Sequence, residues 1–181
     1  LLRLLPFIVI GAVVALGVVL NVDRRPPAEM HVVDELDLER YMGTWYEIAS
    51  IPASFQRRCV SDTTATYTLR DDGSVDVLNA CLRADGRLLE ARGRAWPGDA
   101  PAKLEVSFVV IFGIPLFKAP YWVIDLAPDY SYAVVGHPSR EYGWILARQP
   151  KLPDDVLAGI FDRLTDQGYD PDDFRMTKHT E

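Results

Sequence analysis

The sequence predicts an all-β fold: an eight-stranded antiparallel up-and-down barrel, one C-terminal α-helix packed on its outside, and an N-terminal hydrophobic helix ahead of both. Three observations carry this prediction. Eight strand-like segments follow one another with mostly short turns, which leaves no room for crossover helices and so pairs neighbours antiparallel. The first of them, Gly43-Thr44-Trp45-Tyr46-Glu47-Ile48-Ala49, carries large apolar groups on both faces and needs a covering layer on each side. A single amphipathic helix after the last strand supplies the outer layer. Eight strands left open would present two raw edges, whereas closure removes them, and a barrel of this size holds one small ligand.

The chain has 181 residues, enough for one domain and a short remainder. Residues 1–22 are that remainder. They are almost wholly apolar, interrupted by Arg3 and Pro6, and about 20 such residues span a bilayer core as a helix. The expectation is a transmembrane signal anchor, with a cleaved signal peptide as the alternative; no Ala-x-Ala cleavage site follows. Residues 23–33 contain Pro26-Pro27 and read as a linker, in which His31 is a solvated side chain. Residues 34–181 make the domain. The net charge of −7, with no cluster of Lys and Arg to offset it, excludes nucleic acid as a partner.

The strands come in order. Trp45 and Ala49 share one face of the first, with Glu47 between them; Thr44, Tyr46 and Ile48 share the other. After a loop containing Phe55, the segment 59–70 is rich in Thr, Val and Tyr. Asp71-Asp72-Gly73 turns the chain into a third strand, 74–82, and Asp85-Gly86 into a fourth, 87–96, which Pro97-Gly98-Asp99 closes. Segments 103–108, 121–126, 132–136 and 142–148 complete the eight. The helix then starts with Pro153 at its first position and Asp154-Asp155 at the positive end of its dipole. Val156, Leu157, Ile160, Phe161 and Leu164 form its apolar stripe, expected to pack partly over Tyr46 and Ile48, and Gly168 ends it. Residues 174–178 are expected to add a short final strand.

Cys59 and Cys81 lie nearly symmetrically about the Asp71-Asp72-Gly73 turn, so the two arms bring them within disulfide range. A disulfide implies export and places the domain outside the cytoplasm; two free thiols would imply the reverse. The stretch 111–120 runs Ile111, Phe112, Gly113, Ile114, Pro115, Leu116, Phe117, Lys118, Ala119 and Pro120. It joins two strands yet is almost entirely apolar, which implies a partner: the barrel's own mouth, a membrane, or a second copy in a homodimer.

Catalytic, metal and cofactor signatures are lacking in the sequence. His31, His137 and His179 fall in a linker, a turn and the tail, in no zinc spacing. No Gly-rich phosphate loop and no Gly-x-Ser-x-Gly is present. Glu47 and Asp125 are the carboxylates expected nearest the interior, as hydrogen-bonded buried groups.

These segments resemble a lipocalin, in particular the bacterial outer-membrane lipoprotein type related to apolipoprotein D. Gly43-Thr44-Trp45-Tyr46 resembles the family's first motif. Ala127-Pro128-Asp129-Tyr130-Ser131-Tyr132-Ala133 resembles the second, with Asp129 and Tyr130 at its centre and Pro128 in place of threonine. Arg148, at the end of Trp144-Ile145-Leu146-Ala147-Arg148, resembles the third. The resemblance implies that Arg148 stacks on Trp45 at a closed barrel floor, and that Gly43, Asp129 and Tyr130 are structural. It further implies a fatty acid or lysophospholipid as ligand. If Trp45 and Arg148 face the interior, alternation adds Ala49, Tyr142, Trp144 and Leu146 to the lining. Phe55, Tyr67, Phe108, Trp122 and Tyr132 are further lining candidates, each sent outside by a one-residue slip of register. The expected function is binding, storage or transport of a lipophilic ligand by a membrane-anchored domain facing the periplasm. The alternatives are a structural envelope protein with a filled barrel and an enzyme acting on a lipid or isoprenoid.

Overall fold

The computed structural model describes residues 29–111 and 114–180. The expected N-terminal membrane segment, residues 1–22, lies outside them. Among the described residues no helix is long and apolar enough to cross a membrane.

The eight expected strands close into one barrel. In order around it they are β1 (Gly43–Ser50), β2 (Ser61–Leu69), β3 (Val75–Leu82), β4 (Leu88–Ala100), β5 (Lys103–Ser107), β8 (Ala119–Leu126), β9 (Tyr132–Gly136) and β10 (Gly143–Ala147), and β10 pairs back onto β1. Every pairing is antiparallel. Two small strands, β6 (Val109–Ile111) and β7 (Ile114–Leu116), form a separate hairpin inserted between β5 and β8. The short final strand is β11 (Arg175–Met176), paired outside β1.

The hydrophobic residues divide into two buried clusters, one on each side of the barrel wall. The inner contains Trp45, Tyr67, Val77, Leu104, Val123, Val135 and Leu146. The outer lies between the wall and helix α2 (Asp154–Asp166), with Ile48, Val134 and Ile145 from strands and Ile160 and Leu164 from the helix. The helix therefore covers Ile48, as its stripe predicts. Tyr46 is met instead by His179 of the C-terminal tail, ring to ring at 5.5 Å. Pro153 caps the helix and does not begin it, because its fixed φ and missing N–H suit the capping position equally well. The Pro97-Gly98-Asp99 stretch does not end its strand: β4 runs on to Ala100 through an irregularity in its pairing with β5.

Two bulges decide which side chains face inward. In β1, Glu47 pairs with Leu146 and Ala49 with Ile145, so Ile48 is an extra residue. In β8, Val123 pairs with Val135 and Asp125 with Val134, so Ile124 is extra. Each insertion reverses the alternation beyond it. One helical turn missed in the sequence, α1 (Leu38–Tyr41), precedes β1, its N–H groups capped by the Asp37 carboxylate. Ahead of it the chain already lies on the barrel: Met30 is buried, Val33 donates to the Val123 carbonyl, and the His31 backbone bonds both ways with the Gln167 side chain.

Candidate functional site

The barrel has a sealed end and an open end. At the sealed end the Arg148 guanidinium lies 3.7 Å from the centroid of the fully buried Trp45 indole. It donates to the carbonyls of Arg40, Tyr41, Met42 and Thr44, and so satisfies the last carbonyls of α1, which have no partner within so short a helix. The indole N–H donates to the Tyr41 carbonyl at 2.8 Å. Gly43 turns the chain from α1 into β1 with φ of +94°, a conformation other residues adopt with strain, and a Cβ there would stand 3.4 Å from Arg148 Nη1. Asp129 accepts from the Ser131 N–H, and the Tyr130 hydroxyl accepts from the Asp37 N–H while its ring lies under Arg40. The second motif thus fastens the turn beneath the barrel to α1.

Above this floor is a hollow of about 560 Å³, within the range of about 300–1,000 Å³ common to small-molecule sites. Leu38, Tyr41 and Met42 lie at its base, and Val75, Val77, Leu104, Val106 and Leu146 in its walls. Of the expected lining residues, Phe55, Tyr67, Phe108, Tyr142, Trp144 and Leu146 do line it. Ala49, Trp122 and Tyr132 do not. Ala49 stands beyond the Ile48 bulge and belongs to the outer cluster. Trp122 packs outside with Lys103 Nζ 4.4 Å over its ring, while its neighbour Tyr121 faces in. Tyr132 is on the outer wall, where its hydroxyl accepts from Arg163 of α2. Asp125 also faces out, paired with Arg163 at 2.8 Å. Glu47, on the pocket side of its bulge, lines the hollow.

Two clusters of polar groups stand out in the hollow. Low down, the Tyr121 hydroxyl is 2.9 Å from those of Tyr41 and of Tyr67. Burial pushes all three phenols up, Tyr41 and Tyr121 well above their ordinary range and Tyr67 to about 12. Higher up, Glu47, only 6% exposed, accepts from Ser50, Gln56 and Thr177. Tyr121, which pairs with the inward-facing Leu104, is the residue that a one-residue shift from Trp122 gives. Gln56 and Asn79, also on the lining, sit where no motif or period marks them.

At the open end Cys59 and Cys81 form the expected disulfide, with Cα atoms 5.5 Å apart and both residues on the lining. His137 is at the rim, where partial burial holds its imidazole below the ordinary value. The 108–118 segment stands there too: Phe108, Val109 and Phe117 line the mouth, while Ile111, Ile114 and Phe117 are exposed, Phe117 to 87%. Within it Val109–Ile111 and Ile114–Leu116 pair as a hairpin, an element that the apolar run does not announce.

A hollow antiparallel barrel, floored at one end and open at the other, with an apolar lining, defines a calyx-type binding protein. Residues 36–179 match the model of the lipocalin-like domain, and the chain belongs to that family. It is 41% identical to the outer membrane lipoprotein Blc of Escherichia coli strain K12 over 175 residues, 95% of each chain. It is 38% identical to apolipoprotein D of Mus musculus over 151 residues, covering 77% of this chain and 75% of that one. Among solved structures, insecticyanin of the tobacco hornworm Manduca sexta superposes with a TM-score of 0.67 at 22% identity, covering 84% of this chain and 86% of that one.

Proposed function

We propose that this protein is a carrier for a single-chain lipophilic ligand of the fatty acid or lysophospholipid class, working at the bacterial cell envelope. In this reading residues 1–22 tether it and the domain faces the periplasm. The observation that carries the proposal is the floored apolar hollow of about 560 Å³. Burial of an alkyl chain there is worth about 25 cal/mol per Å² removed from water. The same hollow speaks against a structural protein with a filled barrel. The disulfide favours an exported domain, and the kinship with an outer membrane lipoprotein favours the envelope. Glu47 is the carboxylate in the lining, and its hydrogen-bond donors are a serine, a glutamine and a threonine, with no titratable side chain among them to form a catalytic pair, which supports a carrier over an enzyme.

A second proposal concerns the open rim, which we read as a membrane contact in preference to a homodimer interface. Phe55, Val60, Leu88, Ile111, Ile114 and Phe117 expose apolar surface there. The loops around them carry Arg57, Arg58, Arg83, Arg87 and Arg140; Arg83 and Arg87 share Asp85, and Lys118 pairs with Glu105. Apolar side chains ringed by cations suit an anionic lipid surface.

Mass spectrometry of organic extracts from the purified protein, with titration of Trp fluorescence by an added fatty acid, tests the carrier reading. Trp144 on the lining is the reporter. Copurified lipid and a saturable change are expected. The absence of both a bound lipid and a fluorescence response would overturn the proposal.

A further inference from the structure

The upper wall of the hollow holds a carboxylate with no countercharge. Glu47 is 6% exposed, and its three hydrogen-bond donors, Ser50 Oγ, Gln56 Nε2 and Thr177 Oγ1, are all neutral. Among the described residues it forms no salt bridge, and no Lys or Arg lines the hollow. A buried charge left in this state is costly unless something pairs with it. The bond from Gln56 Nε2 to Glu47 fixes the amide, and its other end, Oε1, is buried with no partner. On the same lining Asn79 Oδ1 is buried and equally unpartnered. The surplus is therefore of acceptors and negative charge.

Beside these acceptors stand aromatic faces. Phe55, Tyr142 and Trp144 make a ladder of stacked rings, with centroids 6.3 Å apart at each step. Trp144 pairs with Ser50 across β1 and β10, and Ser50 donates to Glu47, so the indole and the carboxylate are neighbours on one wall. A carboxylate next to aromatic rings is the chemistry that receives an ammonium group, by ion pairing and by attraction to the ring faces.

We infer that Glu47, with Gln56 Oε1 and the Tyr142–Trp144 ladder, forms a head-group site that selects an ammonium-bearing single-chain amphiphile over a carboxylate-bearing one. The inference rests on the carrier reading and sharpens it. The alkyl chain runs down to the apolar base, and the ammonium stops at the level of Glu47, near the mouth. A free fatty acid in the same pose puts its carboxylate against another carboxylate and leaves the amide oxygens unpaired.

Calorimetric titration of the full chain at neutral pH with dodecylammonium, dodecanol and laurate, all below micelle-forming concentrations, tests this. Dodecylammonium is expected to bind at least about tenfold more tightly than laurate, with dodecanol between them. Glu47→Gln is expected to bring dodecylammonium down to the affinity of dodecanol. Trp144→Leu, which leaves β1 untouched, is expected to weaken dodecylammonium more than dodecanol, and it decides the matter if the Glu47 variant does not fold. Laurate binding as tightly as dodecylammonium to the unmodified protein overturns the head-group site while leaving the carrier standing. Failure of all three probes to bind overturns both.

Discussion

The two ends of this barrel are built on opposite plans. At the floor, charge is neutralised and hydrogen bonds are saturated: one guanidinium serves four carbonyls and covers a fully buried indole. Around it the surface is acidic, with Asp34, Glu35, Asp37, Glu39, Asp71, Asp72, Asp99 and Asp129 against Arg40, Arg70, Lys103 and Lys151. At the mouth apolar side chains face water beside Arg57, Arg58, Arg83 and Arg87. The family's recognisable residues therefore gather where the barrel is sealed, while the proposed head-group site and rim contact draw on residues that no motif marks.

Substitutions at the two ends should therefore separate stability from binding. The largest effect is expected from Trp45→Ala, which empties a fully buried site and should cost about 3–5 kcal/mol in a urea melt. A loss below about 1 kcal/mol would mean that the floor is not what fastens the barrel. Removal of the disulfide by Cys59→Ser with Cys81→Ser should cost about 2–4 kcal/mol. A smaller figure would sharpen the contrast, since this bond lies at the loose end.

Next comes the tyrosine trio. Its folded pKa values lie above the unfolded value of about 10. The stability these phenols contribute is present below that value and is lost as pH rises through the folded ones, about 12 for Tyr67. Absorbance titration should show phenols that resist ionisation near pH ~10 and ionise together with alkaline unfolding; phenols all titrating normally would show that the base of the hollow is wet. Phe117→Asp, at an 87% exposed position, should change stability by less than about 0.5 kcal/mol yet reduce sedimentation with anionic vesicles severalfold. Unchanged sedimentation would remove the membrane role of the rim.

The smallest effect belongs to His137. Its lowered value favours the neutral ring in the folded protein. Stability is therefore present above the unfolded value of about 6.5 and falls as pH drops toward the folded one. A shallow decline in the urea midpoint, absent in His137→Asn, is the expected reading.

Much of the barrel was legible because its signals are local. Turn dipeptides, alternation and the helix stripe gave the strands and their order, and the symmetry of Cys59 and Cys81 about a turn gave the disulfide. The small hairpin around Ile111 and Ile114 escaped because its residues are apolar at exposed and half-buried positions alike, so the alternation of burial leaves no alternation in residue type. The lining was half legible. Tyr142, Trp144 and Leu146 follow from parity with Arg148, but Ala49 was lost to a bulge that no residue type announces. Trp122 and Tyr132 were misplaced by one step, Trp122 beside the inward-facing Tyr121. Gln56 was invisible because it reaches Glu47 from a loop, through the fold and not through the strand.

The extra residue in β1 has a practical consequence. This strand is two reading frames spliced at Ile48: odd positions look into the hollow up to Glu47, and Ser50 resumes on that side only because one position has been skipped. A mutagenesis scheme that varies every second residue from Gly43 would start by remodelling the container and finish by remodelling the wall beneath the helix. Deleting Ile48 would restore a single frame from Trp45 to Ser50, with Ala49 still against the helix and Ser50 still toward the hollow, and would remove one apolar side chain from beneath the helix.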